Sequence, residues 1–399
     1  MSYDVAAVRA HFPALREGAA HFDGPGGSQV PTEVAQAVAA TLTAAVANRG
    51  YVTVAERRAE RAVVEARAAM ADLLGARPEG IVFGRSMTQL TYDFSRALAK
   101  NWRSGDNVVV TRLDHDANLR PWIQASEARD VAAHVVDFDP DSGELAVDAV
   151  AAAIDERTRV VAVTGASNLI GTRPDVPAIA AAAHRAGALC YVDGVHLTPH
   201  APVDVVALGA DAYVCSPYKF CGPHLGVLAA APELLATIHP DKLLPATDDV
   251  PERFEFGTLP YELLAGVTAA VDFIAGLVPT DTGRRESVQT SMRAVEDYEA
   301  ELLRKLEHGL AQIDGVRFHS RASHRTPTVL FTVDGIASSE VSQSLAEVGV
   351  NAPAGDFYAA ECARVLGLAD VGGVRAGIGL YTDASDVARL IEAVAAVPR

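Results

Sequence analysis

Two short segments hold the residue types that could do covalent chemistry. Tyr191-Val-Asp-Gly-Val-His-Leu-Thr-Pro-His200 places Asp193 and His196 at the end of an apolar run. Cys215-Ser-Pro-Tyr-Lys-Phe-Cys-Gly-Pro-His-Leu-Gly226 places Ser216 and Lys219 just past the next one. In open α/β sheets, ligands bind at the carboxyl ends of strands, where both segments fall. Desolvation at such an edge lowers the proton affinity of a lysine and frees its amine for attack on a carbonyl. A carboxylate on the neighbouring strand is the partner that a protonated pyridine nitrogen requires. Each residue alone is more often a surface lysine or a strand-end aspartate, but the pair points to pyridoxal phosphate. Its phosphate needs donors, and the chain has no Gly-x-x-x-x-Gly-Lys-Ser/Thr loop. Gly84-Arg-Ser-Met-Thr-Gln-Leu lies between a strand and a helix, so the N–H groups of Ser86 and Met87 and the Thr88 hydroxyl are the candidates. Helix capping by Ser86 and Thr88 is the competing reading. With no His-Glu-x-x-His and no Cys-x-x-Cys, no metal site is expected.

The elements that must position these residues alternate. Strand-like apolar runs at 81–83, 108–111, 133–138, 160–164, 189–192, 212–215 and 226–230 are separated by helix-like segments at 89–99, 119–128, 147–154, 177–186 and 203–208. Two further helical patterns, 31–47 and 54–74, precede them. This alternation predicts an α/β fold with a mostly parallel sheet flanked by helices. The pattern changes near residue 280. Pro279-Thr-Asp-Thr-Gly283 reads as a loop, followed by a long helix over 286–313, strands at 328–333 and 374–380, and helices at 338–348 and 385–394, a small α+β unit.

The Asp-x-x-His and Ser-x-x-Lys segments, in this order and preceded by Phe22-Asp-Gly-Pro-Gly-Gly27, resemble the class V aminotransferase family in its cysteine-desulfurase-like branch, over nearly the whole length. The resemblance implies a fold type I pyridoxal phosphate enzyme acting on an amino acid as a homodimer. It implies a large cofactor domain over 21–280 and a small domain built from 1–20 and 281–399. By the same resemblance, Lys219 carries the cofactor and moves protons at Cα, Asp193 keeps the ring nitrogen protonated, and His196 contacts the ring hydroxyl. Ser216 joins Ser86, Met87 and Thr88 at the phosphate. Asn168, in Ser167-Asn-Leu-Ile-Gly171-Thr, lies near ring and substrate. Arg375, in Val374-Arg-Ala-Gly-Ile-Gly-Leu-Tyr, takes the substrate carboxylate in a two-pronged grip. Thr258, in Glu255-Phe-Gly-Thr258, reaches the neighbouring subunit's site. The substrate side chain would be read by Gly26, Gly27, Asp116, Asn118 and Tyr358.

The chain departs from that pattern twice. Desulfurases attack the substrate sulfur with a loop cysteine, where this chain has Tyr358 in Ala354-Gly-Asp-Phe-Tyr358-Ala. Cys362 follows on a predicted helix with core-like neighbours, and a buried cysteine is usually inert. In Leu113-Asp-His-Asp-Ala-Asn-Leu-Arg-Pro-Trp122, Asp116 stands where relatives stack a histidine on the cofactor, with His115 as a substitute. An aspartate there can instead act as a base or bind a substrate amine. The expectation is a Cβ–S lyase on cysteine or a cysteine derivative, because β-elimination needs no protein thiol. Transamination, epimerisation, a non-catalytic scaffold and a desulfurase using Cys362 are the alternatives.

Composition sets outer bounds. Lys and Arg number 34 against 51 Asp and Glu in 399 residues, a net charge of −17, which disfavours nucleic acid and anionic membranes as partners. With 49% apolar and 21% charged residues the chain is globular rather than disordered. No charge-free apolar run is long enough to span a bilayer, the first residues do not read as a signal peptide, and the four cysteines fit a reducing cytoplasm.

Overall fold

The computed structural model describes residues 3–398. Its strands begin with β1 (Ala20–His21), β2 (Ile81–Gly84), β3 (Asn107–Thr111), β4 (Ala132–Val136) and β5 (Thr158–Thr164). They continue with β6 (Leu189–Asp193), β7 (Ala212–Cys215), β8 (Gly226–Ala230), β9 (Val316–Phe318) and β10 (Thr328–Val333). The last are β11 (Val350–Asn351), β12 (Ala354–Gly355) and β13 (Gly373–Gly377). Seven of them form one sheet in the order β2-β8-β7-β6-β5-β3-β4. All of its pairings are parallel except those made by β8. The exception has a simple cause. Only residues 216–225 separate β7 from β8, too few for a right-handed crossover, so the chain must turn straight back.

The sheet is buried on both faces, as an α/β arrangement requires. Val109, Val161, Val163, Val192 and Cys215 face one apolar core, while Val108, Val110, Val160, Ala162 and Val214 face the other. The alternation is the period-2 pleat of adjacent strands. The second sheet, β12-β13-β10-β9, is antiparallel throughout, and β1 pairs in parallel with β11 beside it. The helix Arg284–Leu310 ties the two sheets together. Val288, Met292 and Val295 pack in the large core, and Leu302, Leu306 and Leu310 pack under the small sheet.

One predicted helix does not form. Residues 203–208 are a turn, because the Asp204 carboxylate takes the N–H groups of Val206 and Ala207 at 3.1 and 2.9 Å. Such a side-chain bond gives the backbone an alternative to the helical ladder. The helix Tyr261–Ala275 escapes the periodicity reading: it is apolar on most sides, with Leu264, Val267, Val271 and Ile274 buried. Among the described residues, no helix is long and apolar enough to cross a membrane.

Candidate active site

A cavity of about 520 Å³ opens at the carboxyl ends of β2, β3, β5, β6 and β7, and β13 closes it from the small sheet with Arg375. Lys219 ends a single 3₁₀ turn, Pro217–Lys219, immediately past β7. Its Nζ donates to the Pro25 carbonyl and lies 4.8 Å from the centre of the Tyr218 ring. Burial, helped by the charge of Arg375, pushes its pKa down to about 7, and Asp193 only partly opposes this. Asp193 is the last residue of β6, is 4% exposed, and accepts the N–H of Val195 at 2.9 Å. Burial pushes its carboxyl up to about 6, against that N–H and Lys219. His196 shares a 2.9 Å hydrogen bond with the Thr328 hydroxyl, and burial holds its ring well below the usual histidine range, hence neutral.

At the β2 end, Ser86 caps the helix Met87–Ala99, its hydroxyl accepting the N–H of Gln89 at 3.1 Å. Its side chain is therefore committed to the cap. The first-turn N–H groups of Met87 and Thr88 have no acceptor inside the helix, and both residues line the cavity with Ser86 and Ser216. Gly226 is what lets β8 pass beneath this turn, since a Cβ there would sit 2.2 Å from the Ser86 carbonyl carbon and 2.4 Å from the Met87 nitrogen.

Arg375 is 3% exposed, donates to the Asn168 carbonyl at 2.9 Å, and lies over the Phe357 ring at 3.7 Å. Burial lowers even this guanidinium, to about 9. Asn168 donates to the Phe357 carbonyl at 2.9 Å. The Asn168 Oδ1 and the Arg375 Nε are both buried without a partner. A buried polar atom left unpaired is costly, and two in one cavity mark where a polar ligand belongs.

The predicted substrate readers divide. Gly26, Asp116 and Tyr358 line the cavity. Gly27 does not; its Cα faces the Tyr218 ring, which a Cβ would meet at 3.4 Å. Asn118 is also misplaced as a reader. It is fully buried, and its amide is spent on Asp114 at 2.7 Å and on the Trp122 indole at 3.2 Å. Thr258 lies outside this cavity, beside Phe83, Gly84 and Gln89 in a separate one of about 530 Å³. Cys362 is buried on the helix Ala360–Val365, away from the cavity, with its thiol pushed up by burial. No cysteine lines the cavity; all four are buried and free.

Sequence reasoning passed over Arg120 and Phe357. Arg120 is four residues past Asp116, a spacing that brings side chains together on a helical turn, and the two form a 3.1 Å ion pair at the cavity wall. His115 also lines the cavity, its ring 5.7 Å from that of Tyr358 and its pKa lowered by burial to about 4. Phe357 and Tyr358 hold consecutive left-handed φ values of 54° and 60°, strain that residues other than glycine rarely carry.

The residues present fit pyridoxal phosphate: a low-pKa lysine, a buried strand-end carboxylate, first-turn N–H groups and hydroxyls for a single phosphate, and unpaired polar atoms on two residues of the same cavity. The model of the aminotransferase class-V family matches residues 20–390. The chain belongs to that family. An uncharacterized protein of Mycobacterium tuberculosis is 31% identical, with all of both chains covered. A probable cysteine desulfurase of Mycobacterium leprae is 31% identical over 98% of this chain and 96% of its own. Among solved structures, the cysteine desulfurase CsdA of Escherichia coli superposes with a TM-score of 0.87 at 27% identity, covering 99% of this chain and 98% of that one. The family member described here is therefore a pyridoxal phosphate-dependent enzyme with the α/β fold of the cysteine desulfurases, and it is desulfurase-like rather than a scaffold.

Proposed function

We propose that the enzyme cleaves the Cβ–S bond of cysteine or an S-substituted cysteine by β-elimination, without a protein thiol. The observation that carries this reading is the cavity wall: Tyr358 lines it, and no cysteine does. The desulfurase-named relatives favour sulfur chemistry over transamination or epimerisation. In net terms, R–S–CH₂–CH(NH₃⁺)–COO⁻ and water give R–SH, pyruvate and ammonium.

When bound, pyridoxal phosphate supplies an electron sink for charge developing at Cα. The chain's own residues do the rest. Arg375 grips the substrate carboxylate, its free Nε edge supplying a donor. Lys219, poised near neutrality, would hold the cofactor through its amine, take the proton from Cα and return one to the leaving side. Asp193 would hold the ring nitrogen's proton; burial raises its carboxyl, against the Val195 N–H and Lys219. His196 would contact the ring hydroxyl. Ser86, Met87, Thr88 and Ser216 would hold the phosphate.

The chain acts as a homodimer in this reading, with Thr258 of one subunit completing the phosphate site of the other. The segments 21–280 and 281–399, with residues 1–20 joined to the latter, form its large and small domains, and the protein works in the cytoplasm. Purified protein should show a visible absorbance band from lysine-bound cofactor that Lys219→Ala abolishes, and should release pyruvate from cysteine conjugates. Protein that stays colourless after incubation with pyridoxal phosphate would refute the assignment.

A further inference from the structure

His196 lines the active-site cavity, but groups from outside the main sheet hold its ring. Its Nε2 lies 2.9 Å from the hydroxyl of Thr328, the first residue of β10 in the small sheet. Its ring packs edge-to-face with that of His200, the centroids 5.1 Å apart and the planes at 71°. His200 is in turn fixed from behind, its Nδ1 2.8 Å from the Glu299 Oε2 on the long helix Arg284–Leu310. Thr328, His196, His200 and Glu299 are all buried. A histidine and a carboxylate this deep are costly to desolvate, and apolar side chains would fill the same space more cheaply. The pair therefore calls for a reason beyond packing, and its contact is a residue of the cavity wall.

His196 is neutral, because burial and then the charges of His200, Arg375 and Lys219 oppose a protonated ring. A neutral imidazole carries one N–H, and the hydrogen bond made at one nitrogen decides which nitrogen carries it. Thr328 makes that choice. Its side chain is fully buried, and among the described residues His196 is the hydrogen-bond partner of its hydroxyl. A buried O–H with no acceptor would be costly, so the hydroxyl donates and Nε2 accepts. The proton of His196 then sits on Nδ1, which leaves an N–H donor for the cavity. The ring hydroxyl of pyridoxal phosphate is a phenol, and once ionised it is an acceptor only. An Nδ1–H complements it, whereas a bare Nδ1 lone pair would repel it.

We propose that Thr328 and the His200–Glu299 pair are positioning residues that hold His196 in its Nδ1–H form and in one ring orientation, so that it donates to the ionised ring oxygen of the cofactor. This rests on the assignment of His196 to the ring hydroxyl and names the groups that prepare it. Isotope-edited NMR of the imidazole nitrogens reads the tautomer directly, on the full chain with and without pyridoxal phosphate. Wild-type protein should carry the His196 proton on Nδ1. Thr328→Val, which keeps the shape and removes the hydroxyl, should shift the population towards Nε2–H, and Thr328→Ser should restore it. Glu299→Leu releases His200 and should broaden the His196 signals, while Glu299→Gln keeps an acceptor and should not. In the loaded protein, the visible band should move in Thr328→Val in the same direction as in His196→Ala, and return in Thr328→Ser. Cofactor affinity should fall about threefold to tenfold in Thr328→Val, the scale of one hydrogen bond. A wild-type proton on Nε2, or a tautomer and band that Thr328→Val leaves unchanged, would overturn the proposal. So would a band that Thr328→Ser moves as far as Thr328→Val, which would mark lost packing. His196 signals that stay sharp in Glu299→Leu would overturn the part given to the pair. A band unmoved in His196→Ala would instead sink the assignment of His196 to the ring, and the proposal with it, whichever tautomer the cofactor-free protein shows.

Discussion

Lys219 is near neutrality because burial and Arg375 both penalise its ammonium form. Below pH 7 the amine keeps its proton and cannot attack; above it the lone pair is free. The rate of cofactor loading, followed as growth of the visible band, should therefore rise with pH through about 7 and then level off. Arg375→Gln removes one of the two causes, so the same profile should move to higher pH, while substrate affinity falls. An unmoved profile would show that the two groups do not sense each other. Asp193→Asn should still bind the cofactor but lose at least about a hundredfold in kcat, because an amide cannot hold the ring nitrogen's proton. At this scale residue type and strand end were legible, and the structure brings Lys219, Asp193 and Ser216 to one cavity. It misled at Asn118, whose neighbours at −4 and +4, Asp114 and Trp122, absorb its whole amide. It was silent on Arg120, because an exposed arginine in a helix is ordinarily solvated.

Helix and strand placement decides whether those residues meet. The helix Met87–Ala99 can seat its first turn at the cavity only because Gly226 on β8 leaves room beneath it. Gly226→Ala forces a Cβ into the backbone of Ser86 and Met87, so it should weaken cofactor affinity, read by titration of the visible band, and lower the melting temperature as well. A second element-scale contact fixes the segment carrying Thr258. The buried Glu255 carboxylate accepts the N–H of Phe83 at 2.9 Å and pairs with Arg67 at 2.9 Å. Arg67→Met leaves that charge uncompensated and should cost about 3 kcal/mol in denaturant titration, as broken buried pairs do. The seven strands of the main sheet were legible because their apolar runs are short, β-branched and bounded by turns. The two-residue strands β1, β11 and β12 carry no periodicity to read. The turn at 203–208 was hidden by apolar residues that pack without forming a helix, held instead by one aspartate.

The molecule as a whole is strongly acidic, at −17, yet its active-site cavity gathers Lys219, Arg375 and Arg120. Small anions are thus met by local donors rather than by a basic surface. Thr258 lies outside that cavity, so its proposed role requires a second subunit. If the proposed homodimer forms, Thr258→Ala should leave its mass by light scattering unchanged and weaken cofactor binding; a monomeric wild-type protein that binds the cofactor fully would refute the shared site. The central claim, elimination without a protein thiol, is tested most directly by product analysis of the Cys362→Ala enzyme with a cysteine conjugate. Elimination of this kind gives wild-type rates in the variant, with pyruvate and free thiol formed in equal amounts. Alanine in place of pyruvate, with activity lost on replacing Cys362, would contradict it.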